Sequence, residues 1–591
     1  MNININNKAK FTVLIILLII LLTTAIISGV WYFNNLSNKE NTDHKTQSLI
    51  ASGVVPHHLV AKEIIQDFFK HLSSKENPDT IILLSPDHFK SCNISREKSF
   101  ITLDSKTEEF NGLKIDNILL KNLSNKTKLT FNNSFISFEH GITNLLPYIK
   151  RYFPNTKVLP ILIPSEITEE QVIDLIETIN IYSSPQTIII ASVDFSHYLP
   201  KKVAEFHDVK SVRVLLNFEN KDFKNLEVDC WQCLYGARLF ANLHQKEFPE
   251  IIAYNKNSSD FFKKTFSEET TSYFSVVFEK RSLKESKEIE NFNGKTVLFV
   301  GDIMLDRGVE KLILKNSVFY PYKKISQALR GVDTLVGNLE GPIVENPPNF
   351  SDNSLKFAFS SNVIRGLAFS NFNLLSLANN HTFDMGEDGF KETKEFLKKA
   401  NINFVGNPIK CDEDFLFEKD NIIYLAFNKI FPCSCSDEKI IEIIRMVRES
   451  NPEKFLIVIC HWGEEYQTKS SLSQQKLAHQ IIDNGVDLII GSHSHVVQEI
   501  EEYKGKLIFY SLGNFIFDQS FLEETQQGLI VGLEIYPKKF IYRIFPIKSY
   551  LSQPSLMKQK EAEEFLKNLA SESSPQLLNK IENGIIECNR N

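Results

Sequence analysis

The chain has 591 residues, of which 42% are hydrophobic and 24% charged, with 23 Gly and 21 Pro. This excludes a single small module and a disordered or collagen-like chain. Lys and Arg number 66 against 73 Asp and Glu, a net charge of -7, so no global basic field exists to hold polyphosphate, and nucleic acid is not an expected partner. Eight cysteines over this length are too sparse for a disulfide scaffold, which leaves burial to hold the cores.

Residues 1–10 read as a short tail. Residues 11–33 (FTVLIILLIILLTTAIISGVWYF) carry no charge and are long enough, at about 1.5 Å per residue, to cross a hydrocarbon core of about 30 Å. The run exceeds the apolar core of a signal peptide and has no clear small-residue cleavage site, so an uncleaved transmembrane helix is expected. Trp31 and Tyr32 close it as interfacial aromatics do. Lys8 and Lys10 before the segment are nearly matched by Lys39 and Lys45 after it. A short, slightly basic N-tail usually stays inside, which puts the bulk of the chain outside the cytoplasm, single-pass in the cell membrane.

Residues 34–50 are polar and read as a tether. A first block spans 51–280, a charged linker 281–294 and a second block 295–550. Residues 551–591 are expected to form a helical, partly polar tail. In both blocks, short β-branched runs alternate with amphipathic stretches such as 60–72 and 388–399, so both are expected to be α/β with largely parallel or mixed sheets. The blocks share no motif, and no repeat of about 20–50 residues is evident.

Apolar runs in the first block end in chemistry-bearing residues. SGVVPHH ends in His57 and His58, TIILLSPDH in His88, and TIIIASVDFSH contains Asp194 and His197. In open α/β sheets the site lies beyond the carboxyl ends of the strands, so one cleft is expected to collect them. Through GVVPHH, LLSPDHF, EHGITNLLPYI and SVDFSHY, this block resembles the Memo-like family, relatives of class III extradiol dioxygenases. That resemblance implies His57, His88 and Cys230 as ligands of a copper, iron or zinc ion, with His140, Asp194 and His197 lining the cleft. Cys233 remains an alternative ligand, and the C-x-x-C spacing of Cys230 and Cys233 also allows a disulfide or redox pair. Cys433 and Cys435 are read as structural or surface residues, since C-x-C rarely closes without strain.

The second block repeats the pattern more fully. TVLFVGD ends in Asp302, DTLVGNLE in Glu340, FNLLSLANNH in Asn380 and His381, FLIVICH in His461, and VDLIIGSHSH in His493 and His495. Carboxylate, amide oxygen and imidazole together suit Mn, Fe, Zn or Mg. GDIMLDRGV, VGNLEGPI, LANNHTFDMGEDG, HWGEEY, GVDLIIGSHSHVVQ and YSLGNFIFD occur in the order of the CapA/PgsA capsule and poly-γ-glutamate synthesis family, related to calcineurin-like metallophosphoesterases. The resemblance implies a metallophosphoesterase-like α/β sandwich with Asp302, Glu340, Asn380, His461, His493 and His495 as metal ligands. It also implies His381 as proton donor to a leaving oxygen. Asn338, Asp384, Trp462, Glu465 and Asn514 belong to the same motifs and are expected to orient ligands or line the cleft. The superfamily's D-x-H motif has Met304 in place of histidine, and a thioether is a poor ligand for hard ions.

The expectation is a membrane-anchored protein of surface-polymer synthesis or attachment, meeting the polymer and its synthesis machinery, with a metal-dependent hydrolase or transferase as its second block. Two rivals remain: a non-catalytic scaffold, suggested by Met304, and a redox or oxygen-using first block that carries the main activity.

Overall fold

The structure is a computed structural model. It describes residues 48–90, 98–262, 269–280, 292–348, 350, 354–433 and 435–590. The expected membrane segment at 11–33 lies outside them, as does most of the expected linker. Among the described residues, no helix is long and apolar enough to cross a membrane.

The first block is built on an eight-stranded mixed sheet. From edge to edge it runs Leu129–Phe131, Phe100–Thr102, Lys157–Ile163, Thr80–Pro86, Thr187–Ser192, Ile50–Val55, Ser272–Glu279 and Phe248–Asn257. The four central strands, Lys157–Ile163 through Ile50–Val55, pair in parallel. They are buried along almost their whole length, as continuous Ile, Leu and Val runs require when helices cover both faces. Helices Lys62–Lys75, Glu169–Tyr182 and Trp231–Leu243 supply much of that cover. Strands Ile50–Val55, Thr80–Pro86 and Thr187–Ser192 point their carboxyl ends the same way, delivering His57, His88 and Asp194 to one rim.

The second block stacks two sheets. One has nine strands, with Lys295–Ile303 at its centre between Thr334–Leu339 and Gln527–Ile535; Leu374–Ser376 and Asn403–Val405 extend it in parallel. The other orders Leu416–Lys419, Ile422–Asn428, Phe455–His461, Leu488–Ser492, Lys506–Phe509 and Ile500–Tyr503. Val297, Phe299 and Val336 of the first meet Tyr424, Ile457 and Ile490 of the second in one buried cluster, the packing of an α/β sandwich. Gly301 is needed where the sheets' loops converge, because a Cβ there would sit 1.8 Å from the Gly513 carbonyl oxygen. That approach lets Asn514–Ile516 pair beside Asp302 and Ile303.

One expectation about organisation changes. Residues 551–590 are not simply the helical tail expected for 551–591. Strand Gln553–Leu556 and strand Ile585–Asn589 both pair with Lys539–Tyr550, and Leu566, Leu569, Ile581 and Ile586 enter the core between the sheets. The segment is held because its apolar side chains have no other place to be buried.

The two blocks pack together within one compact unit, Leu49–Asn591. Helix Lys201–Asn217 of the first block is buried on nearly every face, since Val203, Ala204 and Phe206 join Leu298, Ile530 and Phe545 of the second. Its buried polar groups bond across the same boundary. Lys210 Nζ donates to the Val332 carbonyl at 2.8 Å, and Arg213 donates to both oxygens of Asp333 at 2.7 and 2.8 Å.

Candidate metal centres

In the second block, Asp302 ends strand Lys295–Ile303, Glu340 follows Thr334–Leu339, His461 ends Phe455–His461 and His493 follows Leu488–Ser492. Asp302, Glu340 and His461 are buried and offer ligand atoms within 4.8 Å of one another; Glu465, His493 and His495 form a second such group. The two groups are continuous. His493 N donates to Asp302 Oδ2 at 3.2 Å, and the His461 and His493 rings lie 4.7 Å apart. His495 Nδ1 is 3.4 Å from Asp302 and its Nε2 is 3.7 Å from Glu340. Asn380 Oδ1 reaches His461 Nε2 at 2.8 Å.

Neighbouring amides and a hydroxyl aim these donors. Asn338 Nδ2 donates to Asp302 Oδ1 at 2.8 Å and Asn379 Nδ2 to Asn338 Oδ1 at 3.0 Å. Ser492 and Asn514 meet His461 Nδ1 and His495 Nδ1 at 2.9 and 3.1 Å. His493 and His495 adopt φ of 98° and 58°, a left-handed backbone that costs free energy in residues with a Cβ and clusters at functional sites.

Both Glu340 oxygens and His493 Nδ1 are buried without a hydrogen-bond partner, although such groups are nearly always satisfied in folded proteins. Burial, then the Asp302 charge, pushes the Glu340 carboxyl well above its usual range. Burial holds His461 well below its ordinary value and brings His493 down to about 4. Burial opposes the charge on His495 as well, but the Glu340 and Asp302 carboxylates raise it to about 9. Orphaned oxygens and unprotonated imidazoles in one cavity are the donor set a divalent ion takes.

His381 sits beside this group. Its Nδ1 is 2.9 Å from Asp384 Oδ2, and its ring packs 4.2 Å from Phe357. Met304 is fully buried in the core, where its sulfur accepts from Asp306 N at 3.1 Å. Trp462 donates Nε1 to the Tyr510 carbonyl at 2.9 Å and is buried, a packing role. Glu465 is exposed.

In the first block the structure also brings the predicted residues together. His57, His88 and His140 offer ligand atoms within 4.8 Å of each other, as do His57, Asp194 and Asp229. His57 Nε2 lies 3.5 Å from both Asp194 and Asp229. His88 Nδ1 contacts Glu139 Oε1 at 2.7 Å and its Nε2 is 3.7 Å from Asp229. Burial brings His57 down to about 4 and also lowers His140, helped by the His88 charge. Burial opposes protonation of His88 too, yet bonding to Asp229 and Glu139 lifts it to about 10. Burial raises the Asp194 carboxyl. His197 is half-buried, and its carbonyl accepts from Gln327 Nε2 of the second block at 2.7 Å.

Cys230 departs from its expected role. It caps helix Trp231–Leu243 and is disulfide-bonded to Cys233, so it offers no thiolate. The carboxylate of the preceding residue, Asp229, faces the imidazoles instead, and the cluster becomes a nitrogen and oxygen donor set, less suited to copper than imidazole plus thiolate. Cys435 is likewise paired, with Cys411. Asp229 and Glu139 escaped sequence reasoning. Glu139 precedes His140 inside EHGITN, and Asp229 precedes Cys230, so in each case the more conspicuous neighbour drew attention.

Comparison with known proteins agrees with this division. Residues 296–519 match the family described as bacterial capsule synthesis protein PGA_cap, and residues 29–238 match Memo-like protein. Over 262 residues the chain is 32% identical to capsule biosynthesis protein CapA of Bacillus anthracis, covering 40% of this chain and 62% of that protein. Over 249 residues it is 30% identical to PGA biosynthesis protein CapA of Bacillus subtilis strain 168, covering 39% and 66%. It therefore spans just under two thirds of these relatives' length. A MEMO1 family protein of Caldivirga maquilingensis is 22% identical over 260 residues, 42% of this chain and 88% of that protein.

Proposed function

We propose that this chain, a Memo-like domain followed by a PGA_cap domain, is a membrane-anchored protein of capsule or poly-γ-glutamate-like surface-polymer synthesis. On this reading the second block performs metal-assisted hydrolysis or transfer at a phosphoryl or acyl centre. The observation that carries the reading is the convergence of Asp302, Glu340, His461, His493 and His495, with both Glu340 oxygens buried and unpartnered. The capsule and PGA biosynthesis names of the two Bacillus relatives support the polymer class. The apolar run at 11–33 supports the anchor, and its short basic N-tail supports an extracytoplasmic bulk.

Asp302, Glu340, Asn380, His461, His493 and His495 would hold the ion, which supplies positive charge against the negative charge that develops on a reacting oxygen. Asn338 keeps Asp302 turned into the site. Asp384 fixes His381 through Nδ1, which leaves Nε2 to carry the proton given to a departing oxygen. Phe357 covers one face of that imidazole and limits its access to water.

Metal analysis of the purified full-length protein tests the reading. Wild type should carry a divalent ion that Asp302→Ala and His493→Ala both remove; metal content unchanged by either substitution defeats it. A second reading, a polymer-binding scaffold without turnover, draws on the burial of Met304 where a metal-ligating histidine would stand. Turnover that disappears in His381→Ala while metal is retained would eliminate the scaffold.

A further inference from the structure

Arg307 stands beside the second-block cluster, and the metal reading gives it no task. It opens helix Arg307–Lys315, just after the strand that carries Asp302. Its φ is 52°, which is uncommon for a residue with a side chain. The conformation is held from several directions: Asp306 Oδ1 accepts from Arg307 N at 2.6 Å, while Asp518 accepts from Arg307 Nη2 at 2.5 Å and from Gly308 N at 3.0 Å.

The guanidinium lies 4.9 Å over the Phe357 ring and 5.8 Å from that of Phe517. Phe357 packs 4.2 Å from His381 and Phe517 packs 4.8 Å from His495. The cation is thus wedged between two aromatic rings, each leaning on a histidine of the site. Its Nε is buried with no hydrogen-bond partner. Leaving a donor of a charged group unmet is costly, and Asp518 engages only part of a planar fork of five donors.

We propose that Arg307 is a specificity-determining residue that takes an oxyanion of the substrate, phosphoryl or carboxylate, on the donors Asp518 leaves open. It thereby sets the reacting centre beside His381. The inference rests on reading the second block as a metal-assisted site. An oxyanion can accept from Nε–H and from the neighbouring edge of the fork together, in charge-assisted bonds stronger than any a neutral acceptor makes.

The test titrates inorganic phosphate and γ-linked diglutamate separately into the Mn2+-loaded full-length protein, as wild type, Arg307→Gln and Arg307→Lys. Wild type should bind at least one of them, and Arg307→Gln should weaken that ligand by about tenfold or more. Arg307→Lys should recover little, because an ammonium cannot present the fork. Mn2+ stoichiometry should not change. Whichever ligand loses affinity identifies the oxyanion class. Equal affinity in wild type and in a variant whose melting shows it folded, or no binding of either ligand to wild type, overturns the proposal; should Arg307→Gln not fold, Arg307→Lys decides. If wild type takes up no Mn2+, the metal reading fails by itself, and the same titration on metal-free protein still decides the role of Arg307.

Discussion

In the first block every imidazole of the cluster already has a carboxylate close by: Asp194 and Asp229 for His57, Glu139 for His88 and for His140. In the second block only His495 has carboxylates this close, Asp302 at 3.4 Å and Glu340 at 3.7 Å; His461 bonds a serine hydroxyl and two asparagine amides, and neither His493 Nδ1 nor either Glu340 oxygen has a hydrogen-bond partner. Both clusters are built around residues at the carboxyl ends of strands, joined in the first by Glu139, His140 and Asp229 from helix starts and loops. They differ in charge balance. The first sets a protonated His88 against Asp229 and Glu139, while the second sets a protonated His495 between Asp302 and Glu340 and keeps His461 and His493 unprotonated, with no carboxylate bonded to either ring. Strand-end placement therefore gathers potential ligands, and the polar neighbours of each decide how much the pocket gains from a cation.

The sharpest way to break this contrast is to neutralise one carboxylate in each cluster. Glu340→Gln should leave the metal-free protein about as stable, because it removes a carboxyl that accepts no hydrogen bond and whose charged form burial already disfavours. It should also abolish the stabilisation by metal, about 4 kcal/mol at a free concentration a thousandfold above Kd. Asp229→Asn should do the opposite, costing about 1–3 kcal/mol with or without metal, since the protonated His88 loses a counter-charge. Denaturant melts of both variants, with Mn2+ and with chelator, check this; metal-free stabilities that shift in the same direction would dissolve the distinction.

Much of the second site was legible because its candidate ligands stand at or just after apolar runs that read as strands, and the resemblance to the CapA/PgsA family singles out Asp302, Glu340, Asn380, His461, His493 and His495 among them. What that pattern did not carry was any residue that reaches a site from a loop. Asp229 follows no apolar run and arrives by accepting from Asp194 N at 3.1 Å. The Cys411–Cys435 pair closes across 24 positions, and strand Ile585–Asn589 finds its partner in Lys539–Tyr550; neither has a local signal. The docking of the blocks was hidden for the same reason. The charged side chains of helix Lys201–Asn217 that bond to the other block carry no local sign of their burial.

That docking allows a test of whether the two sites share one folding unit. Burial alone would raise the Asp333 carboxyl, but the Arg213 fork outweighs it, with help from Lys210 and Thr296 N–H, and holds it well below the usual carboxylate range. A depressed carboxyl stabilises fully above its unfolded value of about 4, and that stabilisation is lost as pH falls toward the folded value. Asp333→Asn should cost about 3 kcal/mol near neutral pH, the low end for breaking a buried pair, because Arg213 keeps Glu219 at 3.0 Å. It should also flatten the acid side of the stability profile. Urea unfolding of the full-length protein followed separately at each block should shift together. A shift confined to the second block would mean that the blocks fold apart.

The smallest effect tests the claim that the second site is organised for proton transfer and not merely for holding an ion. Asp384 bonds His381 Nδ1 at 2.9 Å and accepts from Phe357 N at 2.8 Å, so it fixes the imidazole and the ring packed against it. Asn at this position keeps an oxygen able to accept from both groups but removes the carboxylate charge beside the imidazole. Asp384→Asn should therefore lower kcat on a chromogenic phosphodiester by about 10–100-fold, with KM and bound metal little changed. If His381 were only a packing residue, the loss of that charge would leave kcat where it was. The first block offers a built-in control, since its His88 bonds Glu139 in the same manner. A matching Glu139→Gln change should leave phosphodiester turnover untouched if the reaction belongs to the second site alone.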